Sequence, residues 1–313
     1  MGGNILTILE QGLIYGVMAL GVYISYRILD FPDLSVDGTF PLGAAVTASL
    51  VVNVQGINPW LCLIISLLAG ALCGALTGVL HVKFRISNLL SGILMMTALY
   101  SINMHIASDR STLQMNKGAI KAATIFNTPP VSLLPPALEP YRTLIVGLVL
   151  IIAAKLLLDW YLSTHNGFLL RAVGDNEQLI VMLGQSVGKM KIIGLAIANG
   201  LVAVSGSVFA QHQRYFDAGF GIGMIVTGLA SVIIGQTIFG RIRRMKPTTA
   251  VILGAIIYKA CTMLALQLGS GIGLKAFDLK LVTAVLFFIA LVINIGKKKT
   301  GNRGKGRGTS ASL

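Results

Sequence analysis

The chain has 313 residues, of which 55% are hydrophobic and 12% are charged, and its mean hydropathy is +0.80. A soluble domain carries about 25% charged residues, so this composition excludes an ordinary soluble globular protein. The net charge of +14 lies mainly in short loops and near the C-terminus. Basic residues in such places orient membrane segments, and we expect no nucleic-acid binding.

Apolar runs of about 20 residues recur along the chain, and each is long enough to cross the hydrocarbon core of a bilayer as a helix. The sequence therefore predicts an all-α polytopic membrane protein with about 8–10 transmembrane helices, one or two of them discontinuous. The predicted spans are approximately 4–27, 33–54, 59–82, 88–107, 141–163, 190–211, 219–240, 247–268 and 279–296.

The first unusual segment is FPDLSVDGTFPLGAA, residues 31–45. Pro32 disfavours a continuous helix, whereas Asp33, Ser35 and Asp37 are residue types that cap helix N-termini. Irregular backbone at membrane depth is tolerated only inside protein or beside a water-filled cavity. The segment is therefore predicted to be a broken helix beside a substrate pathway. The alternative is that the two acids cap a helix at the cytoplasmic surface, and both interpretations can hold together.

Close helix packing is predicted for the span 59–82. Gly70, Gly74 and Gly78 are spaced four residues apart and form a flat stripe on one helix face. A neighbouring helix can approach such a stripe closely. We favour plain tight packing over a sliding interface.

The second unusual segment, residues 214–234, again has an acid, Asp217, followed by glycines and an apolar helix. A pair of interrupted apolar segments indicates an internal repeat with a substrate path between its halves. The predicted halves are 1–163 and 190–296, and residues 164–190 connect them.

The basic segments predict an orientation. The tail 296–307 and the turn 240–246 are strongly basic and are separated by two crossings, so both are expected in the cytoplasm. Counting back places 171–178 and 83–87 on the same side, with the N-terminus outside. Residues 297–313 are rich in Gly, Lys, Arg and Ser and are predicted to be a disordered cytoplasmic tail.

Three stretches resemble one known family, the permeases of the branched-chain amino acid, ribose and nucleoside group of bacterial ABC transporters. Residues 31–48 are similar to the DLSVG segment of that group, and 87–102 are similar to its next membrane segment. Residues 169–211 show the group's order of an R-A-x-G-x-(D/N) turn, an LG pair, a basic helix start and a Gly/Ala-rich helix. This chain departs by reading DLSVDG, with Asp37 before Gly38.

The resemblance implies the transmembrane permease subunit of an importer that moves a small polar solute inward across the bacterial plasma membrane. An amino acid, including aromatic ones, is favoured over sugars and nucleosides. The implied partners are cytoplasmic ABC ATPase subunits, an extracellular or periplasmic substrate-binding protein and a second permease copy, with a homodimer favoured over a heterodimer of two related permeases. The chain lacks a P-loop motif, so the partner is expected to hydrolyse ATP. We expect no cofactor, and scattered histidines make a metal site improbable.

The resemblance also implies that residues 171–189 form the coupling helix that docks on the ATPase. The candidate coupling residues are Arg171, Ala172, Gly174, Asp175, Asn176, Glu177, Leu183 and Gly184. The candidate substrate-pathway residues are Asp33, Ser35, Asp37, Thr39, Asn88, Ser91, Met95, Met96 and Tyr100. For the residues of span 88–107, plain helix packing is the alternative to a lining that tolerates varied apolar cargo.

Two other classes of function are alternatives for this sequence. An ion-coupled secondary transporter would need a charge in mid-membrane, and Lys259 in IIYKACT lies well inside a predicted span. An integral membrane prenyl transferase could use the D-x-x-x-D spacing of Asp33 and Asp37. Such an enzyme also needs a second acidic cluster to hold metal and pyrophosphate, which the sequence does not supply.

Overall fold

The computed structural model of the chain describes residues 2–270, except for 55, 117–121, 130, 134, 241, 243 and 244, together with 281, 283–285, 287, 288 and 292. The described chain is mainly helical, and this confirms the predicted fold class. The predicted tail 297–313 lies outside the described residues, as does most of the predicted span 279–296.

Every predicted span up to residue 268 coincides with a helix. The α-helices are α1 (Gly2–Val22), α2 (Val36–Asn53), α3 (Pro59–Phe84), α4 (Asn88–Ile106), α5 (Arg142–Ser163), α6 (His165–Asp175), α7 (Glu177–Met182), α8 (Val187–Gln213), α9 (Met224–Phe239) and α10 (Pro247–Ser270). The two short strands are β1 (Thr112–Gln114) and β2 (Tyr215–Asp217). A π-helical turn, Tyr23–Ile28, continues α1. Helices α6 and α7 occupy the predicted connecting loop.

Seven helical stretches among the described residues are long and apolar enough to cross a membrane. They are Ile5–Ile28, Pro59–Phe84, Asn88–Ile106, Leu138–Ser163, Val187–Gln213, Ala218–Phe239 and Pro247–Ala265. The predicted span 33–54 is not among them, although α2 covers most of it. Helix α2 contains Asp37 and Pro41, and most of its residues are buried. Because α2 packs against α3, α4 and α8, protein rather than lipid surrounds its polar groups.

Helix α8 lies at the centre of the bundle and packs against α1, α2 and α3. Glycines of α3 make its contact with α8 unusually close. A Cβ atom on Gly70 would collide with the carbonyl oxygen of Asn199, and one on Gly74 would overlap that of Leu195. Gly78 faces the Cα of Ile192 in the same way. The predicted close packing along this glycine stripe is therefore confirmed.

The segment between α4 and α5 folds against one end of the bundle. Strand β1 pairs with β2 in an antiparallel register that aligns Leu113 with Phe216. The side chain of Gln211, at the end of α8, accepts a 2.9 Å hydrogen bond from the backbone N–H of Ile125. The indole N–H of Trp60 donates to the carbonyl of Pro129 at 3.2 Å. These contacts hold the segment as a cap over this end.

At the other end of the bundle, Asp159 joins the end of α5 to the start of α10. Its carboxylate accepts hydrogen bonds from Lys155 at 2.9 Å and from the hydroxyl of Thr248 at 2.7 Å. Lys246 forms a further ion pair with it at 3.2 Å. The neighbouring Trp160 is 68% exposed.

Candidate functional site

Asp33 lies in the interior, at the junction between α2 and α8. Its Oδ2 atom accepts a 2.7 Å hydrogen bond from the side-chain amide of Asn199, and its Oδ1 atom accepts one of 2.8 Å from the backbone N–H of Ser35. The Ser35 hydroxyl donates to Asn199 Oδ1 at 3.2 Å. Thr39 is also buried, and its hydroxyl donates to the Ser35 carbonyl. These groups satisfy one another, as buried polar groups must.

Asp37 caps a helix, but the helix is α9 rather than α2, in which Asp37 itself lies. Its carboxylate accepts hydrogen bonds from the backbone N–H of Gly223 at 3.1 Å and of Ile225 at 2.7 Å. These N–H groups belong to the first turn of α9, where a negative charge is favourable. Gly223 has φ +84°, a left-handed conformation that suits glycine.

Pro41 produces a second contact between the same two segments. It has no backbone N–H, so the Asp37 carbonyl four residues earlier lacks its helical partner. Gly221 lies directly against that carbonyl, and a Cβ atom at this position would overlap the oxygen. The two interrupted segments, 31–45 and 214–234, therefore meet each other in the fold. This contact is compatible with the predicted internal repeat, which stays a prediction.

Helix α4 turns only part of its candidate pathway face toward the interior. Ser91 and Met95 are buried, whereas Tyr100 is 59% exposed. Asn103, on the buried face, donates a 3.0 Å hydrogen bond to the carbonyl of Gly38 in α2. The remaining candidates, Asn88 and Met96, are partly buried. The structure thus places Ser91 and Met95 beside α2 and leaves Tyr100 on the outer surface of the chain.

Two residues of this interior network, Asn199 and Asn103, are absent from the sequence-based site. Each is a buried amide on its helix, and each forms a hydrogen bond to the segment 31–45. An amide group both donates and accepts, so it can pair with a carboxylate as well as with a backbone carbonyl. The signal available in the sequence was the isolated asparagine in IANGL and in SINMH.

A cavity of about 380 Å³ lies between α1, α9 and α10 and contains the side chain of Lys259. The Lys259 ammonium group lies 4.4 Å from the centre of the Tyr15 ring, in cation–π contact. The Tyr258 hydroxyl lies 3.5 Å from that of Thr227. The residues with polar groups that line the cavity are Tyr15, Thr227, Tyr258, Lys259, Thr262 and Thr283.

The charge of Lys259 is only partly compensated. No carboxylate of the described residues lies within ion-pair distance of its ammonium group. A cation–π contact contributes about 0.5–2 kcal/mol. Withdrawing an ammonium group from water costs several kcal/mol even after the protein relaxes. The cation–π contact alone therefore leaves a deficit that an anion entering the cavity would reduce.

The candidate coupling residues lie on α6, on α7 and in the turns that flank α7. The side chain of Asn176 accepts hydrogen bonds from the backbone N–H groups of Gln178 at 3.0 Å and Leu179 at 3.3 Å, so it caps α7. Glu177 forms a 2.6 Å ion pair with Lys191 of α8. Gly184 has φ +69° and ends the helical turn.

This region presents a mixed polar and apolar surface. Arg171, Asp175, Asn176, Glu177 and Gly184 are exposed, whereas Ala172 and Gly174 are partly buried. Gly174 lies against the carbonyl of Ile28, where a Cβ atom would overlap the oxygen. Three consecutive apolar side chains are strongly exposed, namely Val181 (64%), Met182 (82%) and Leu183 (61%). In general, exposed apolar residues grouped in this way mark a surface that contacts a protein partner or the membrane.

Comparisons with known proteins agree with this picture. The family model described as the permease component of branched-chain amino acid transport systems matches residues 4–294. The chain is 42% identical over 300 residues to the tyrosine transport system permease protein of Clostridioides difficile, across 95% of this chain and 94% of that one.

Two more distant relatives extend the comparison. An uncharacterized protein of Rickettsia prowazekii is 32% identical over 291 residues, which cover 92% of this chain and 96% of the relative. A nucleoside ABC transporter permease protein of Lactococcus lactis is 25% identical over 279 residues, which cover 85% and 84% of the two chains.

Proposed function

The chain belongs to the family of permease components of branched-chain amino acid transport systems, and from this membership we propose that it imports an amino acid with an aromatic side chain, tyrosine first. As an ABC permease component it is a multi-pass membrane subunit without an ATPase of its own. The observation that carries the cargo proposal is the 42% identity to a tyrosine permease over nearly the full length of both chains. The nucleoside permease is more distant, at 25% identity.

We further propose that the surface formed by α6, α7 and the turn after them docks on a cytoplasmic ATPase. Support comes from the exposed apolar side chains Val181, Met182 and Leu183, and from the exposed charges of Arg171 and Asp175 on the neighbouring helix α6. The ion pair between Glu177 and Lys191 would connect this surface to α8, the central helix. The complete importer would contain two copies of this permease in the bacterial plasma membrane, with the C-terminus in the cytoplasm.

The pathway residues divide into two proposed roles. Asp33, Ser35, Asp37 and Thr39 use their side chains in internal hydrogen bonds, which supports a role in positioning α2 and α9. On α4, Ser91 and Met95 pack inside the chain. Asn88, Met96 and Tyr100 keep accessible surface, which supports contact with cargo or with the second copy.

The experiment that tests the function begins with purification of the tagged chain from its native cell in mild detergent, followed by identification of co-purifying proteins. The complex, with its binding protein, is then placed in liposomes, and uptake of labelled tyrosine is measured. We expect uptake that requires ATP and is lost when the catalytic glutamate of the ATPase is replaced by glutamine. Unlabelled ribose and nucleosides should not compete. Uptake driven by an ion gradient without ATP would contradict the proposal.

A further inference from the structure

We propose that the cavity around Lys259 is a binding site for the carboxylate group of a small solute, and that this solute is the amino-acid cargo. The inference rests on the proposed function for the identity of the solute. The site itself is argued from three features of the described residues. These features are a cavity of about 380 Å³, a partly buried cation with no carboxylate of the described residues within ion-pair distance, and several hydroxyl groups on the cavity wall.

The size of the cavity and the few polar groups on its mostly apolar wall suit an amino acid. A volume of about 380 Å³ lies in the range of cavities that bind small molecules. The ammonium group of Lys259 would pair with the carboxylate as a charge-assisted hydrogen-bond donor. The hydroxyl groups of Thr227 and Tyr258 can donate or accept, so they can also meet the solute's ammonium group.

The depth of Lys259 favours a small solute over a lipid headgroup as the source of the anion. Lys259 lies near the middle of α10, Pro247–Ser270, and is about 17 Å from either end at 1.5 Å per residue. The phosphate groups of lipids lie outside a hydrocarbon core that is about 30 Å thick. A carboxylate carried by a transported solute reaches this depth, whereas the headgroup of a lipid in the bilayer does not.

The wall of the cavity is connected to the segment 31–45. Gly223 and Met224 line the cavity at the start of α9. Asp37, which does not line the cavity, accepts a hydrogen bond from the backbone N–H of Gly223. A solute that binds beside Lys259 would therefore contact the start of α9, which Asp37 caps. Asp37, the additional acid of DLSVDG, would thus be a positioning residue for the wall of the carboxylate site.

The test compares tyrosine with two analogues, each of which lacks one charged group of tyrosine. Tyrosine carries both a carboxylate and an ammonium group, tyramine lacks the carboxylate, and 3-(4-hydroxyphenyl)propionate lacks the ammonium group. Binding to the permease–ATPase complex in lipid nanodiscs is measured by saturation-transfer NMR, which detects weak ligands. We expect signals for tyrosine and the propionate and none for tyramine. Equal signals for tyramine and tyrosine, or no signal for any ligand, would overturn the proposal.

Variants of Lys259, together with one control, test whether the ligands bind in the cavity. Lys259→Met should weaken binding of tyrosine and the propionate by about tenfold or more, whereas Lys259→Arg should keep most of it because the cation remains. The matched control is Lys155→Met, since Lys155 lies in another span but is paired with Asp159. Unchanged binding in Lys259→Met would overturn the assignment. If Lys259→Met does not assemble, Lys259→Gln replaces it. Weakened binding in Lys259→Gln would support the assignment, and unchanged binding would overturn it.

The uptake assay separates failure of this site from failure of the proposed function. Normal ATP-driven tyrosine uptake by Lys259→Met would leave the function standing and overturn the site. The opposite outcome has two parts. If Lys259→Met abolishes the carboxylate-dependent binding seen in the wild-type complex, the site is supported. If the wild-type complex nevertheless does not import tyrosine, the proposed cargo is contradicted.

Discussion

The carboxylate of Asp37 accepts a 2.7 Å hydrogen bond from the backbone N–H of Ile225, which lies 188 positions later in the chain. Helix α2, which contains Pro41, is thus tied to the first turn of α9. A second bond, from Gly223, completes the cap. Both oxygens of one acid are therefore used to hold together two segments that are far apart in the sequence.

Replacing Asp37 by asparagine should destabilise this contact. The amide side chain would keep one carbonyl acceptor and lose both the negative charge and the second acceptor at the start of α9, at a cost of about 1–2 kcal/mol. We expect a lower midpoint of thermal unfolding, measured by circular dichroism in detergent. Asp109→Asn is the control, because Asp109 pairs with His105 on the surface and both side chains are 77% exposed. Equal midpoints for the two variants would contradict the capping role.

Replacing Asn199 by leucine should be more harmful. The variant would remove the 2.7 Å hydrogen bond that the buried Asp33 carboxylate accepts, and leaving a buried charged group without such a partner costs about 3 kcal/mol. The double variant Asp33→Asn with Asn199→Leu should be more stable than Asn199→Leu alone, because it buries no unpaired charge. Expression level and thermal unfolding of all four proteins, wild type included, measure this coupling. Additive effects would show that the two side chains act independently.

Gly74→Ala should separate α3 from α8. The added Cβ atom would overlap the carbonyl oxygen of Leu195, and backbone cannot move aside as a flexible side chain can. We expect the free energy of unfolding to fall by about 1–3 kcal/mol, as it does for other overpacked cores. Gly147→Ala in α5 is a matched control, because its Cβ atom would lie at an ordinary 3.5 Å from the Leu13 side chain. A helix interior favours alanine over glycine, so this control should be neutral or slightly stabilising.

Leu183→Glu should weaken association with the ATPase without unfolding the permease. Leu183 is 61% exposed, so the change removes apolar surface from the proposed docking site and fills no internal space. We expect about tenfold weaker association, measured as the ATPase recovered with the tagged permease. Leu183→Met keeps the apolar character and should retain the ATPase. Undiminished recovery with Leu183→Glu would place the docking surface elsewhere.

The helices were predictable because a membrane imposes long apolar runs, and the runs up to residue 268 each became a helix. The close approach of α3 to α8 was also predictable, since glycines four residues apart fall on one helix face. Helix α2 was predictable as a helix, but its surroundings were not. Its acid and proline are tolerated because other helices surround it, and tertiary packing sets that environment.

The partners of the polar residues could not be predicted in the same way. Asp33 and Asp37 stood out as acids in an apolar region, yet Asp33 pairs with Asn199 and Asp37 with α9. A hydrogen bond between residues more than 160 positions apart depends on how helices are arranged in space. Local patterns do not encode that arrangement. The same holds for Lys259, whose depth in the membrane was visible in the sequence but whose cavity was not.

The two tryptophans stand at opposite ends of the bundle. The indole N–H of Trp60 donates to Pro129 in the segment that caps one end, whereas Trp160 is 68% exposed beside Asp159 at the other. The chain has no other tryptophan. Its intrinsic fluorescence therefore divides into two signals that single Trp→Phe variants can separate. Displacement of the cap during a transport cycle would change the emission of Trp60 and leave that of Trp160 as an internal reference, without any added label.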